Sequence, residues 1–272
     1  MAVHSLSQNA SQNALSSDAT PLAIPSVINQ EWLKAFQEGF HSHGLTFEEK
    51  LFCDLPQPQA FALVDKLYGS DERFAQVFYN YRINHLGHSP EEAAISTQAE
   101  LAHHIAAIKK AYQSDRHVYA VGYRPDTSDD ARGPASSYHP VGLYCMRPVL
   151  DHERGQDLLD ALNDLNMDAH YDGKKALVHS FCLLKDFRNL HMLKYIFINI
   201  GLKAVRDDYA HLFFFFSDSR LKGIYERYGL TFPADLKFRN SQHFIGCFSM
   251  TEANLARIHH AIEQMVQDET PT

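Results

Sequence analysis

The chain has 272 residues, 45% of them hydrophobic, and a formal net charge of −8 at pH 7. That length and apolar share supply one large core or two modest ones and exclude a disordered chain. The acidic balance argues against nucleic acid or an acidic membrane as partner, because counterion release needs clustered lysine and arginine. No run approaches the roughly 20 apolar residues of a membrane span.

Residues 1–24 are poor in charge, rich in Ser, Asn, Gln and Ala, and carry Ser-Gln-Asn-Ala twice. Such a composition buries too little to repay ordering, so a flexible tail is expected. From 25 to 115 the pattern predicts helix throughout. Trp32, Leu33, Phe36 and Phe40 form one stripe, and two short helical stretches broken by Pro56 and Pro58 are expected from Thr46 to Leu67. A capped amphipathic helix begins near Ser70, and Ser89-Pro90-Glu91-Glu92 starts another that runs to about Tyr112.

The character changes at residue 116. His117–Tyr123 and His139–Arg147 read as a strand pair around a polar turn, and Gln156–Leu165 as a short helix. Ala176–Leu184 reads as a strand, followed by Lys185–Asn189 and an apolar helix from Leu190 to about Val205. The run His211-Leu-Phe-Phe-Phe-Phe-Ser217 shows no period-2 alternation and is too short for a helix. It predicts a strand buried on both faces, in mid-sheet. Ser217-Asp218-Ser219 makes a polar elbow, Arg220–Tyr228 a short helix, and Gly229 its stop. A strand at 243–250 and a helix at 252–266 complete the chain.

Strand, arginine-bearing turn, helix, strand, polar elbow and then Tyr225-Glu-Arg-Tyr-Gly229-Leu230: this order resembles the second half of the GNAT acyltransferases. Their pattern there is strand, R-x-x-G-x-G/A loop, helix, strand, N-x-x-A-x-x-x-Y-E-K-x-G-F. On it Arg188 falls on the loop arginine, Asp218 on the asparagine, Leu221 on the alanine, Tyr225 on the tyrosine, Gly229 on the glycine and Leu230 on the phenylalanine. The resemblance spans Val118–Met250. His191 and Leu193 stand where the loop glycines belong. The fold class it implies is α/β: a GNAT-like mixed sheet with a splayed central strand pair, occupying 116–272 and preceded by the all-helical region.

The resemblance also implies a chemistry. Tyr225 would be the general acid for a leaving thiolate, and His179 would deprotonate the amine directly or through water. Arg188 and Asn189 at the helix start, with Phe181 and Leu184, would bind the donor, either acyl-CoA or the acyl-phosphopantetheine of an acyl carrier protein. Asp218 and Ser180 would meet the substrate. Structural readings stand beside these: Tyr225 packing beneath its helix, His179 as a core histidine, Asp218 as a cap. Lys174, Lys175, Lys185, Arg188 and Lys194 are expected to cluster at the donor mouth.

A metal is not expected. The paired histidines His103-His104 and His259-His260 point about 100° apart on a helix, and no other ligands stand at matching spacing. The four cysteines form no C-x-x-C pair, and Cys145, Cys182 and Cys247 lie in apolar runs, as reduced core thiols do. With no basic-then-apolar leader at the N-terminus, a cytoplasmic location is expected. The expected function is acyl transfer from a pantetheine thioester to a small-molecule amine by direct attack. The altered loop favours a long-chain variant of the acyl-homoserine lactone or N-acyl amino acid synthase type. The alternative is a catalytically inactive GNAT-like binding or regulatory module.

Overall fold

A computed structural model describes residues 40–42, 45–69, 72–125, 138–216, 222–233, 236 and 244–267. The expected tail at 1–24, the stripe at 32–36 and the elbow 217–219, with Asp218, lie outside them. Among the described residues seven strands form one sheet in chain order: β1 (Phe40–Ser42), β2 (Leu45–Leu51), β3 (Val118–Pro125), β4 (His139–Pro148), β5 (Lys175–Leu183), β6 (His211–Phe216) and β7 (Phe244–Ser249). Every neighbouring pair is antiparallel except β5 and β6, which are parallel. A parallel pair needs a crossover. It is supplied by α5 (Leu190–Arg206). The mixed sheet with one central parallel pair is the GNAT-like fold that the resemblance implies.

Helices cover both faces. On one lie α1 (Gln57–Val64), α2 (Glu72–Leu86), α3 (Pro90–Ala111) and α4 (Gly155–Asp164). On the other lie α5, the short α6 (Lys222–Arg227) and α7 (Glu252–Gln267). The aromatic run of β6 explains itself in this frame. Leu212 and Phe214 join the core beneath α5, while Phe213 and its neighbour Phe215 pack with Leu158 and Leu162 of α4 on the opposite face. A strand flanked by β5 and β7 and covered by helices above and below leaves no room for polar alternation.

Helix α3 starts where its capping residues dictate. Ser89 Oγ accepts the Glu92 N–H at 3.3 Å, and the Ser89 N–H donates to Glu92 Oε2 at 2.9 Å, a reciprocal capping box.

The expectation of helix throughout 25–115 is corrected by β2. Residues 45–51 pair with β3 in register from Leu45↔Pro125 to Leu51↔Tyr119. Glu48-Glu49-Lys50 reads as helix-forming, and Glu49 stands on the inward face with Phe47 where a strand would ordinarily carry an apolar residue. Tertiary pairing decides the outcome. Glu49 is accommodated because α5 reaches down to it: Lys203 Nζ donates to Glu49 Oε1, the Tyr144 hydroxyl donates to Oε2, and Lys203 lies 4.5 Å from the Tyr119 ring centroid.

The Lys203 and Glu49 side chains are only 12% and 10% exposed, so each is the other's counter-charge in a place with little water. Glu49→Ala is expected to cost about 3–5 kcal/mol in denaturant unfolding because Lys203 is left buried without a counter-charge. The double variant Glu49→Met/Lys203→Met is expected to recover most of that loss.

Candidate active site

The site begins at a break in hydrogen bonding. β5 and β6 pair through Lys175↔His211, Ala176↔Leu212, Leu177↔Phe213 and Val178↔Phe214, and no further. Both strands continue, β5 to Leu183 and β6 to Phe216. The pair therefore diverges from residue 179 onward, which is the expected splay.

The divergence has a local cause on β5. Leu143 pairs with Cys182 and Cys145 with His179, so β5 holds one residue more than β4 across this interval. That residue is accommodated at Ser180, whose φ is +54°, a β-bulge with its added twist. The Ser180 carbonyl accepts the Tyr68 hydroxyl at 3.0 Å. Gly142 on β4 lets the far end of β5 lean in: a Cβ there would collide with Leu183 Cδ2. The Leu184 N–H then bonds the Val141 carbonyl at 2.8 Å. β5 thus keeps β4 while it leaves β6.

At the mouth of the gap, α5 is capped by Asn189, whose Oδ1 accepts the Met192 N–H at 2.8 Å. A capped helix start presents the positive end of its dipole. Arg188, half-buried, is folded back so that Nε donates to the Leu183 carbonyl at 2.8 Å, and burial lowers its pKa. Phe187 stacks on Tyr123 of β3 with ring centroids 5.4 Å apart, fixing the turn against the sheet. Phe181 and Leu184 are half-buried and pack against the core beneath α5. The expected basic cluster is not assembled. Lys174 and Lys175 stand at the start of β5 and Lys185 and Arg188 beyond its end, roughly 30 Å apart at strand rise. Lys175 instead lies 3.7 Å from Asp168.

His179 is the first residue beyond the last β5–β6 pair. Its Nδ1 is 3.0 Å from Ser180 Oγ, its ring meets His152 edge-on at 4.5 Å, and His152 lies 6.1 Å from Phe215. Nε2 is buried and has no hydrogen-bond partner among the described residues. Burial, reinforced by His152, Arg147 and His104, pushes the His179 pKa well below the usual histidine value. The ring is neutral at neutral pH. If Nδ1 carries the proton toward Ser180 Oγ, Nε2 is the open acceptor. Arg147 is paired with Asp115 at 2.6 Å, and burial also lowers His152 and His104. Sequence reasoning missed His152, Arg147 and Tyr68 as neighbours of His179. They come from three separate segments and carry no common spacing.

Tyr225 lies on the other face of the sheet. It is 3% exposed, and its ring is 5.2 Å from Phe197 of α5, which in turn is 5.4 Å from Phe214. His179 and Tyr225 therefore lie on opposite faces of the sheet. The three buried cysteines are not activated: burial raises Cys145 to about 12, Cys182 to about 11 and Cys247 to about 12, and all four thiols are free. Among the described residues no group of three or more His, Cys, Asp or Glu is placed to hold a metal, and no helix is long and apolar enough to cross a membrane.

No protein-family model matches the sequence, and no curated protein matches it. Solved structures of similar chain path include an uncharacterised protein from Bacillus halodurans, at 7% identity and TM-score 0.45 over 83% of this chain and 92% of that one. A GNAT-family acetyltransferase from Listeria monocytogenes aligns at 11% identity and TM-score 0.43 over 78% and 99%. The PaiA N-acetyltransferase of Thermoplasma acidophilum, solved with coenzyme A, aligns at 11% and 0.38 over 75% and 98%.

The depressed His179 has a signature in stability. Unfolded, the ring takes up a proton near pH 6.5; folded, it does so only well below. The unfolded state then binds more protons across that window, so stability is complete above about pH 6.5 and falls as the pH is lowered toward the folded value. His179→Gln is expected to flatten part of this acid limb in a melting-temperature series against pH. His104, His152 and His211, also lowered by burial, sustain the remainder.

Proposed function

We propose that the chain is a thioester-dependent N-acyltransferase of GNAT type, moving an acyl group from a pantetheine thioester to the amine of a small molecule. The observation that carries this reading is the limit of β5–β6 pairing at Val178↔Phe214 while both strands run on. Backbone groups of buried strands require partners. A pantetheine arm, with amides along a thin chain, supplies them in a way that a compact apolar ligand does not.

In this reading the donor's phosphates lie at the capped start of α5, with Arg188 and Asn189 beside them and Phe181 and Leu184 flanking the arm. Neutral His179 takes a proton from the attacking amine, directly or through water, and Tyr225 returns one to the leaving thiolate. The nitrogen attacks the thioester carbonyl, the C–N bond forms and the C–S bond breaks. A covalent intermediate on cysteine is disfavoured because the three buried thiols stay protonated at neutral pH. Acyl-CoA is the first donor to consider, since the lysines that would greet an acidic carrier protein are split between the two ends of β5. Asp218 and Ser180 are proposed acceptor contacts. A long acyl chain is the finer proposal.

A thermal-shift series of the full chain against coenzyme A, short- and long-chain acyl-CoA and acylated carrier protein tests the donor. Stabilisation by an acyl-CoA is expected, and no shift with any of the four sinks the proposal. With a donor in hand, Tyr225→Phe is expected to lower kcat about 10²–10⁴-fold with little change in KM. Unchanged turnover removes Tyr225 as the acid while leaving the donor assignment intact.

A further inference from the structure

A cavity lies beneath the paired part of β6. It occupies about 210 Å³ between α5, α7 and the end of α6, on the face of the sheet opposite His179. Its floor is Leu212, Phe214 and Phe248, and Phe197 and Ile258 form its walls. A dry apolar cavity of roughly 150 Å³ already accepts a benzene-sized guest, so this one has room for a ligand.

The two helices shape it. They run antiparallel, closing on each other at Gly201, where a Cβ would meet Ile258 Cδ1 at 2.5 Å. At the other end Lys194 Nζ bridges to Gln264 Oε1 at 3.0 Å. Between those two contacts the helices leave the cavity open.

The rim is cationic. Lys194, Arg227 and Arg257 line it, with His260, and no carboxylate does among the described residues. The nearby Glu263 is directed at His259 and His260, 3.7 Å from each. Arg257 is held in place by a neutral group, donating from Nη1 to Asn254 Oδ1 at 2.9 Å. That arrangement requires the glycine at 229, whose φ is +93°: a Cβ there would lie 2.6 Å from Asn254 Oδ1 and 2.7 Å from Arg257 Nη1. The amide orients the guanidinium without neutralising it.

We infer that this cavity is a binding site for a small amphipathic carboxylate: an aliphatic tail on the phenylalanine floor and a carboxylate paired with Arg227 and Arg257. Guanidinium groups match a carboxylate by paired N–H donors, and the buried aliphatic surface supplies the rest. The site is independent of the transferase reading. It uses neither His179 nor Tyr225.

Calorimetric titration of the full chain with hexanoate, octanoate, decanoate, octanol and octyl phosphate tests it. Octanoate is expected to bind at one site, with octanol at least about tenfold weaker for want of the charge. Arg227→Gln/Arg257→Gln is expected to weaken octanoate by at least about tenfold, and Ala261→Leu, which fills the opening, to abolish binding. Both arginines are exposed, so the double variant decides the matter even if Ala261→Leu does not fold. Equal binding of octanol, an unchanged double variant, or octyl phosphate about tenfold tighter than octanoate overturns the carboxylate assignment. Displacement of octanoate by coenzyme A overturns the separateness of the site.

Discussion

The parting of β5 from β6 is the constraint around which the molecule is built. A parallel pair buried in mid-sheet would ordinarily hydrogen-bond along its whole length, since unpaired backbone groups in such a place are costly. Here pairing ends after Val178↔Phe214, and the departure is supported from the other side. The extra residue at Ser180, the room left by Gly142 and the Leu184–Val141 bond all hold β5 to β4. A strand can leave one neighbour only by keeping the other. The opening is thus a property of three strands together.

The N-terminal layer takes part in that arrangement. Tyr68, in the turn after α1, reaches the Ser180 carbonyl, and its ring meets His104 of α3 edge-on at 4.9 Å. The helices before β3 therefore brace the bulge and shape the histidine side of the gap, and β2 extends the sheet by pairing with β3. On the far face the Lys203–Glu49 pair ties α5 to β2. The crossover helix is consequently anchored at both ends: by the Asn189 cap and Phe187–Tyr123 stack at its start, and by a buried ion pair near its end.

Where residue pattern and tertiary demand agree, the sequence was legible. The phenylalanine run of β6 admits only a strand covered on both faces, and the α3 start follows from Ser89 and Glu92. The order of strand, turn, helix and strand from 175 to 216 follows from the residue pattern, and the splay from the family resemblance. What stayed hidden has a common physical origin. β2 carries Glu49 inward because Lys203, more than 150 residues later, neutralises it, and no local pattern records a partner that distant. His152, Arg147 and Tyr68 converge on His179 and Ser180 from a turn, a strand end and a π-helical turn, so they share no period. The supposed lysine cluster failed for the opposite reason. Residues close in sequence need not be close in space, and an extended strand puts its two ends as far apart as its length allows.

His179 and Tyr225 stand on opposite faces of the sheet. Side chains alternate across a strand, so Phe214 faces α5 with Phe197 and Tyr225, and Phe215 faces the other way with His152 and His179. The opening is therefore flanked by two different surfaces, aromatic beneath α5 and histidine-bearing on the side of α3.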